Sequence, residues 1–68
     1  MKKGDMVMFT DEGSYGKWFF GQLGIVMRHT VHPTTRRESC RVEWLQPVLY
    51  HGRYTSVSDF SADMFEVV

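Results

Sequence analysis

At 68 residues the chain has room for one domain and not for two, and its 43% hydrophobic content, with five Phe, three Tyr and two Trp, can fill one tight core. Eight basic residues balance eight acidic ones, which argues against a duplex DNA binder, whose affinity rests on neutralising phosphates. One cysteine excludes an intrachain disulfide, Asp5 interrupts the apolar run that a signal peptide starting at Lys2-Lys3 would need, and no apolar run nears the ~20 residues that cross a bilayer. The chain is therefore expected to be a complete small protein, soluble and cytoplasmic.

In chain order, Gly4-Asp5 signals a turn and Met6–Thr10 a strand, with Val7 and Phe9 inward because β-branched and aromatic residues suit a sheet core. Asp11–Lys17 reads as a polar, glycine-bearing loop. Trp18-Phe19-Phe20 then places three aromatics in a row. A strand sends neighbours to opposite faces, so at least one of these rings is expected to face solvent or fold over an end of the molecule. Gly21–His29 is the second strand, with Gly21 and Gly24 predicting a bulge or tight bend. Thr30–Glu38 is a polar loop or loosely paired hairpin tip.

Cys40-Arg41-Val42-Glu43-Trp44-Leu45 carries the clearest signal. Cys40, Val42 and Trp44 fall on one face and Arg41 and Glu43 on the other, the period of a half-buried strand with an indole inside. Gln46-Pro47 is expected to end it, and Val48–Tyr50 either extends the pairing or loops. His51-Gly52 predicts a turn into a fourth strand at Arg53–Val57. Ser58–Ala62 resembles a single helical turn capped by Ser58 or Asp59, and Asp63–Val68 is the last strand. The expected core is Val7, Phe9, Val26, Cys40, Val42, Trp44 and Phe65.

Five short strands, a long first loop and a helical turn before the last strand predict an all-β, five-stranded SH3-like barrel forming a single domain over residues 1–68. Lys3-Gly4-Asp5-Met6-Val7, Gly24-Ile25-Val26, Val42-Glu43-Trp44, Ser58 to Asp63 and Phe65-Glu66-Val67-Val68 also occur in a familiar order. That order resembles the small SH3-like proteins of tailed bacteriophages, especially those of cyanobacterial phages, and the likeness spans nearly the whole chain. It implies the fold, and it brings no catalytic residues and no cofactor. It also implies a phage-encoded accessory or host-directed protein acting in the host cytoplasm. Thr30–Arg37 departs from the shorter, more acidic or glycine-rich connection usual there, so what is particular to this chain is expected in that basic loop.

Several constellations bear on chemistry. His29, His32, Cys40 and His51 lack the paired spacing of a structural zinc site, and they read as loop histidines and a core thiol, so no metal is expected. Cys40 shares the face of Val42 and Trp44, where burial raises a thiol's pKa and works against a nucleophile, so no enzyme is expected. Gly16-Lys17 lacks the remaining residues of a phosphate-binding loop.

Tyr15, Trp18, Phe19, Tyr50 and Tyr54 exceed what the interior can hold once Phe9, Trp44, Phe60 and Phe65 are inside. They can line a groove for a proline-rich peptide, a methylated lysine or a stacked base, or simply cover the ends of the barrel. Arg28, Arg36, Arg37 and Arg41, with His29 and His32, form a basic stretch containing only Glu38 as an acid. Such arginines suit phosphate or carboxylate contacts. The leading expectation is a non-catalytic interaction module that docks a protein partner through Trp18, Phe19, Arg36, Arg37, Tyr50 and Tyr54. The alternative is an RNA or single-stranded DNA binding barrel using the arginine loop and exposed aromatics. Self-association, through the basic stretch and the acidic end of another copy, is a third possibility.

Overall fold

A computed structural model describes all of residues 1–68. The chain folds into one antiparallel five-stranded sheet of order β4-β3-β2-β1-β5, built from β1 (Met6–Phe9), β2 (Leu23–Val31), β3 (Glu38–Tyr50), β4 (Arg53–Ser61) and β5 (Phe65–Val67). The last strand returns beside the first, pairing Val7 with Val67, Met8 with Glu66 and Phe9 with Phe65. No helix is long and apolar enough to cross a membrane.

All seven expected core residues are buried, joined by Phe19, Val48 and Ala62. Phe9 lies at the centre, its ring 5.1 Å from Phe60, 5.3 Å from Phe65 and 5.8 Å from Phe19. Trp44 is 4% exposed. Its ring stacks on Phe19 at 5.2 Å, and its Nε1–H donates to Ser58 Oγ at 2.9 Å, so the one polar atom of the buried indole has a partner.

The three-aromatic run is resolved by a structure the sequence did not signal. Gly16–Phe19 forms a helical turn, α1, which rotates successive side chains by about 100° instead of 180°. Phe19 points inward at 1% exposure, Phe20 outward at 52%, and Trp18 lies between them, packed against the core's edge.

Three further expectations are corrected. Pro47 does not end its strand: β3 runs on to Tyr50. Between the pairs Glu43–Val57 and Val48–Thr55, four residues of β3 face one of β4. Pro47 sits in that gap, where no ladder N–H is demanded of it. The helical turn expected at Ser58–Ala62 lies instead at Ala62–Met64. Ladder bonds to β3 hold Ser58, Asp59 and Phe60 in extended pairing and override their local capping tendency. Gly21 does bend the chain, in the turn ahead of β2 with a φ of 81°, but the strand's ladder irregularity falls at Met27 and not at Gly24. Gly24 serves close approach: a Cβ there would stand 2.2 Å from Val42 Cγ1 and 2.9 Å from the Glu43 carbonyl oxygen.

Candidate functional site

The two ends of β3 carry the two groups of residues that the sequence singled out. At one end, β3 and β4 join through His51-Gly52, closed by the Tyr50–Arg53 pair. Both turn residues have positive φ, 50° at His51 and 76° at Gly52. Two left-handed residues are what a two-residue hairpin needs to match strand twist. Gly52 adopts that conformation freely, and His51 adopts it at some strain.

His51 is held there by rings. Its imidazole centroid is 4.2 Å from Tyr50 and 4.7 Å from Trp18, and Trp18 meets Tyr50 edge to face at 4.8 Å and 84°. Tyr15, just ahead of α1, leans toward Tyr50 at 6.3 Å and touches Phe60 at 5.2 Å. Tyr15 and Tyr50 separate two adjoining hollows. One lies between the loop at Gly13-Ser14 and the rings of Trp18 and His51. The other is floored by Phe19 and Phe60 and rimmed by Thr55, Ser58 and Asp59.

Of the six expected contact residues, the fold brings Trp18 and Tyr50 together at this surface. Phe19 lies beneath them in the core, so its ring is support and not an exposed contact. Tyr54 is 74% exposed but lines neither hollow; it stands across the ladder from Leu49, which is also exposed. Arg36 and Arg37 sit in the turn before Glu38, at the opposite end of β3 from Tyr50. The sequence marked Tyr15 as a ring that can line a groove but not as one of the six contact residues, and it left His51 out of both sets. Tyr15 stands three residues before Trp18, the spacing that aligns side chains on a helical turn, a signal legible only once α1 is known. Nothing local marked His51 beyond its turn.

The arginine end is shaped by local hydrogen bonds. His32 N–H donates to the Arg37 carbonyl at 2.8 Å and Arg36 N–H to the His32 carbonyl at 2.9 Å. His32 Nδ1 accepts from the amides of Thr34 and Thr35, both at 3.3 Å. Arg36 takes a left-handed φ of 61°. His29 Nε2 lies 3.4 Å from Glu38 Oε1 across the base of the hairpin. His29, His32, Cys40 and His51 do not converge, and no three His, Cys, Asp or Glu residues cluster as a metal site would require.

Arg41 does not extend the basic stretch, contrary to expectation. It forms a two-pronged pair with Asp59, Nε to Oδ1 at 2.9 Å and Nη2 to Oδ2 at 3.1 Å. That hydrogen bond holds the Asp59 carboxyl below its ordinary range, with the charges of Arg41 and Arg28 adding to it and desolvation opposing it. Cys40 lies under the same pair. Burial, and then the charge of Asp59, pushes its thiol up to about 11, so at neutral pH it is a protonated core side chain.

No family model, no curated protein and no solved structure matches the chain.

Proposed function

We propose that the chain is a non-catalytic interaction module of SH3-like architecture that docks a protein partner on the paired hollows beside Tyr15 and Tyr50. The architectural part rests on the order of elements. Four strands follow one another as neighbours, a long first loop carries a helical turn, and a 3-10 turn carries the chain across to pair β5 with β1. That return beside the first strand is what a small sheet curling toward closure requires. On the resemblance to small tailed-phage proteins alone, the proposed setting is the host cytoplasm and the proposed role that of an accessory or host-directed protein.

The observation that carries the docking reading is the meeting of Tyr15, Trp18, Tyr50 and His51, drawn from the first loop and the β3–β4 turn, around hollows open to solvent. Aromatic side chains offer large contact area with few rotatable bonds, and they dominate binding energy where they can be fully desolvated. Nucleic-acid binding by arginines and aromatics together is less well supported. Arg36 and Arg37 stand at the far end of β3 from the rings, and Arg41 is paired with Asp59.

Affinity capture from a bacterial lysate, with and without nuclease, tests the reading. The expected result is a protein retained at high salt and after nuclease, lost with Trp18→Ala and kept when Arg36 and Arg37 are both changed to Ala. Near-ultraviolet circular dichroism from Trp44 confirms that each variant folds. Capture that disappears with nuclease, or with the two arginines and not with Trp18, would transfer the function to nucleic acid.

A further inference from the structure

The hollow between the Gly13-Ser14 loop and Trp18 has a cation in its lining and no anion. Lys17 lines it, and no Asp or Glu does. Lys17 has no ion pair, since the ion pairs of this protein are His29–Glu38 and Arg41–Asp59. The acids of the flanking segments lie outside the lining. Asp11 Oδ2 accepts from the Gly13 amide at 3.0 Å, Asp59 is joined to Arg41, and Glu12 is exposed on the loop.

The hydrogen-bonding groups of the lining are uncommitted. The hydroxyls of Ser14, Tyr15 and Tyr50 and the indole N–H of Trp18 have no hydrogen-bond partner within the protein. The other indole differs: Trp44 donates to Ser58 Oγ at 2.9 Å. No fully buried side-chain polar atom lacks a partner, so the free donors beside Trp18 are ones that a ligand can reach from solvent. Lys17 Nζ lies 4.3 Å from the centroid of the Trp18 ring. The ammonium and the indole N–H, groups that only donate, therefore stand at the same ring.

A ligand that matches this lining must bring acceptors and negative charge. An ionised carboxylate brings both, and its two oxygens can take bonds from an ammonium and an indole N–H together. A cation would be repelled by Lys17 and would leave the donors unpaired. We infer that the hollow beside Trp18 is a carboxylate site, where the docked partner presents an aspartate or glutamate side chain to Lys17 Nζ and Trp18 Nε1. The Ser14, Tyr15 and Tyr50 hydroxyls border the site and add donors to it. This rests on the docking reading for its biological setting, but the chemistry of the site stands apart from it.

The test is a titration of isotopically labelled protein with two short capped peptides, one bearing a central glutamate and the other glutamine, its uncharged isostere. The Trp18 indole N–H resonance is the reporter, and the Trp44 indole, closed in the core, is the internal control. The glutamate peptide should move the Trp18 signal and leave Trp44 in place, while the glutamine peptide does little. Affinity for the glutamate peptide should fall about two- to fivefold in Lys17→Met. Lys17→Met changes an exposed side chain and leaves the core intact. Equal response to both peptides, unchanged affinity in Lys17→Met, or no response to the glutamate peptide at about 50 mM would each overturn the inference. So would a stronger response to inorganic phosphate than to the glutamate peptide, which would assign the hollow to a phosphorylated ligand. Equal response at Trp18 would still leave the docking reading standing. A glutamate response with no captured protein would sink the docking reading and keep the carboxylate site.

Discussion

The two ends of β3 are built by different means. The turn carrying Arg36 and Arg37 is shaped by short-range hydrogen bonds around His32, and each of its residues from His32 to Arg37 is exposed. The turn at His51-Gly52 is only two residues long, yet it is tied by ring contacts to a helical turn more than thirty residues earlier in the chain. Local bonds can define the shape of a loop, but they leave it an isolated polar projection. Long-range aromatic packing makes a surface, because it brings side chains from separate elements to one place and leaves hollows between them. A basic loop is thus conspicuous in sequence and isolated in space, while the less conspicuous turn joins the richest cluster of rings.

The contrast rests on a shared support, and removing it should erase both ends together. Trp44→Ala deletes the indole that stacks on Phe19 and donates to Ser58. It should cost about 3–5 kcal/mol, much of the stability available to a domain of this size. Chemical denaturation should show the variant largely unfolded or close to its midpoint in water. A loss below 1 kcal/mol would mean that the ends are held independently.

Cys40 probes the arginine half from beneath. Its thiol stays protonated to about 11 in the folded chain, against an ordinary value of 9.0. Below pH 9 the thiol is neutral folded or unfolded, and its burial stabilises fully. Between pH 9 and 11 the unfolded chain ionises while the fold holds the proton, so stability should fall by roughly 2–3 kcal/mol. Cys40→Ala should lack that part of the alkaline slope in denaturant melts across this range. Matching slopes would place the thiol in contact with water.

The aromatic end can be sharpened at His51. Asn tolerates the left-handed conformation better, so His51→Asn should raise stability by a few tenths of a kcal/mol while removing a ring from Trp18 and Tyr50. The expected pairing is a slightly higher Tm with weaker binding at the hollow. A lower Tm would show that the stacking outweighs the strain. The smallest effect belongs to the arginine loop: replacing Arg36 and Arg37 together by Ala should shift stability by no more than about 0.5 kcal/mol. A larger change in thermal melts would reveal that the two ends communicate.

The alternation of Cys40, Val42 and Trp44, the inward pair Val7 and Phe9, and the turn at His51-Gly52 were all legible in the sequence. Each depends on a local rule: a side-chain period of two, or a backbone conformation that few residues adopt. The expected core was correct residue by residue for the same reason. What only the tertiary structure decided was non-local. Phe19 became core because a helical turn rotated it away from Phe20. Pro47 stayed within a strand because a gap in pairing with β4 spared its missing N–H. Arg41 lost its free charge because the ladder set Asp59 directly opposite. Tyr15 and His51 joined Trp18 and Tyr50 because the first loop folds against the β3–β4 turn. Periodicity assigns a residue to a face, but it does not say which distant residue shares that place, and a binding surface is made of such pairings.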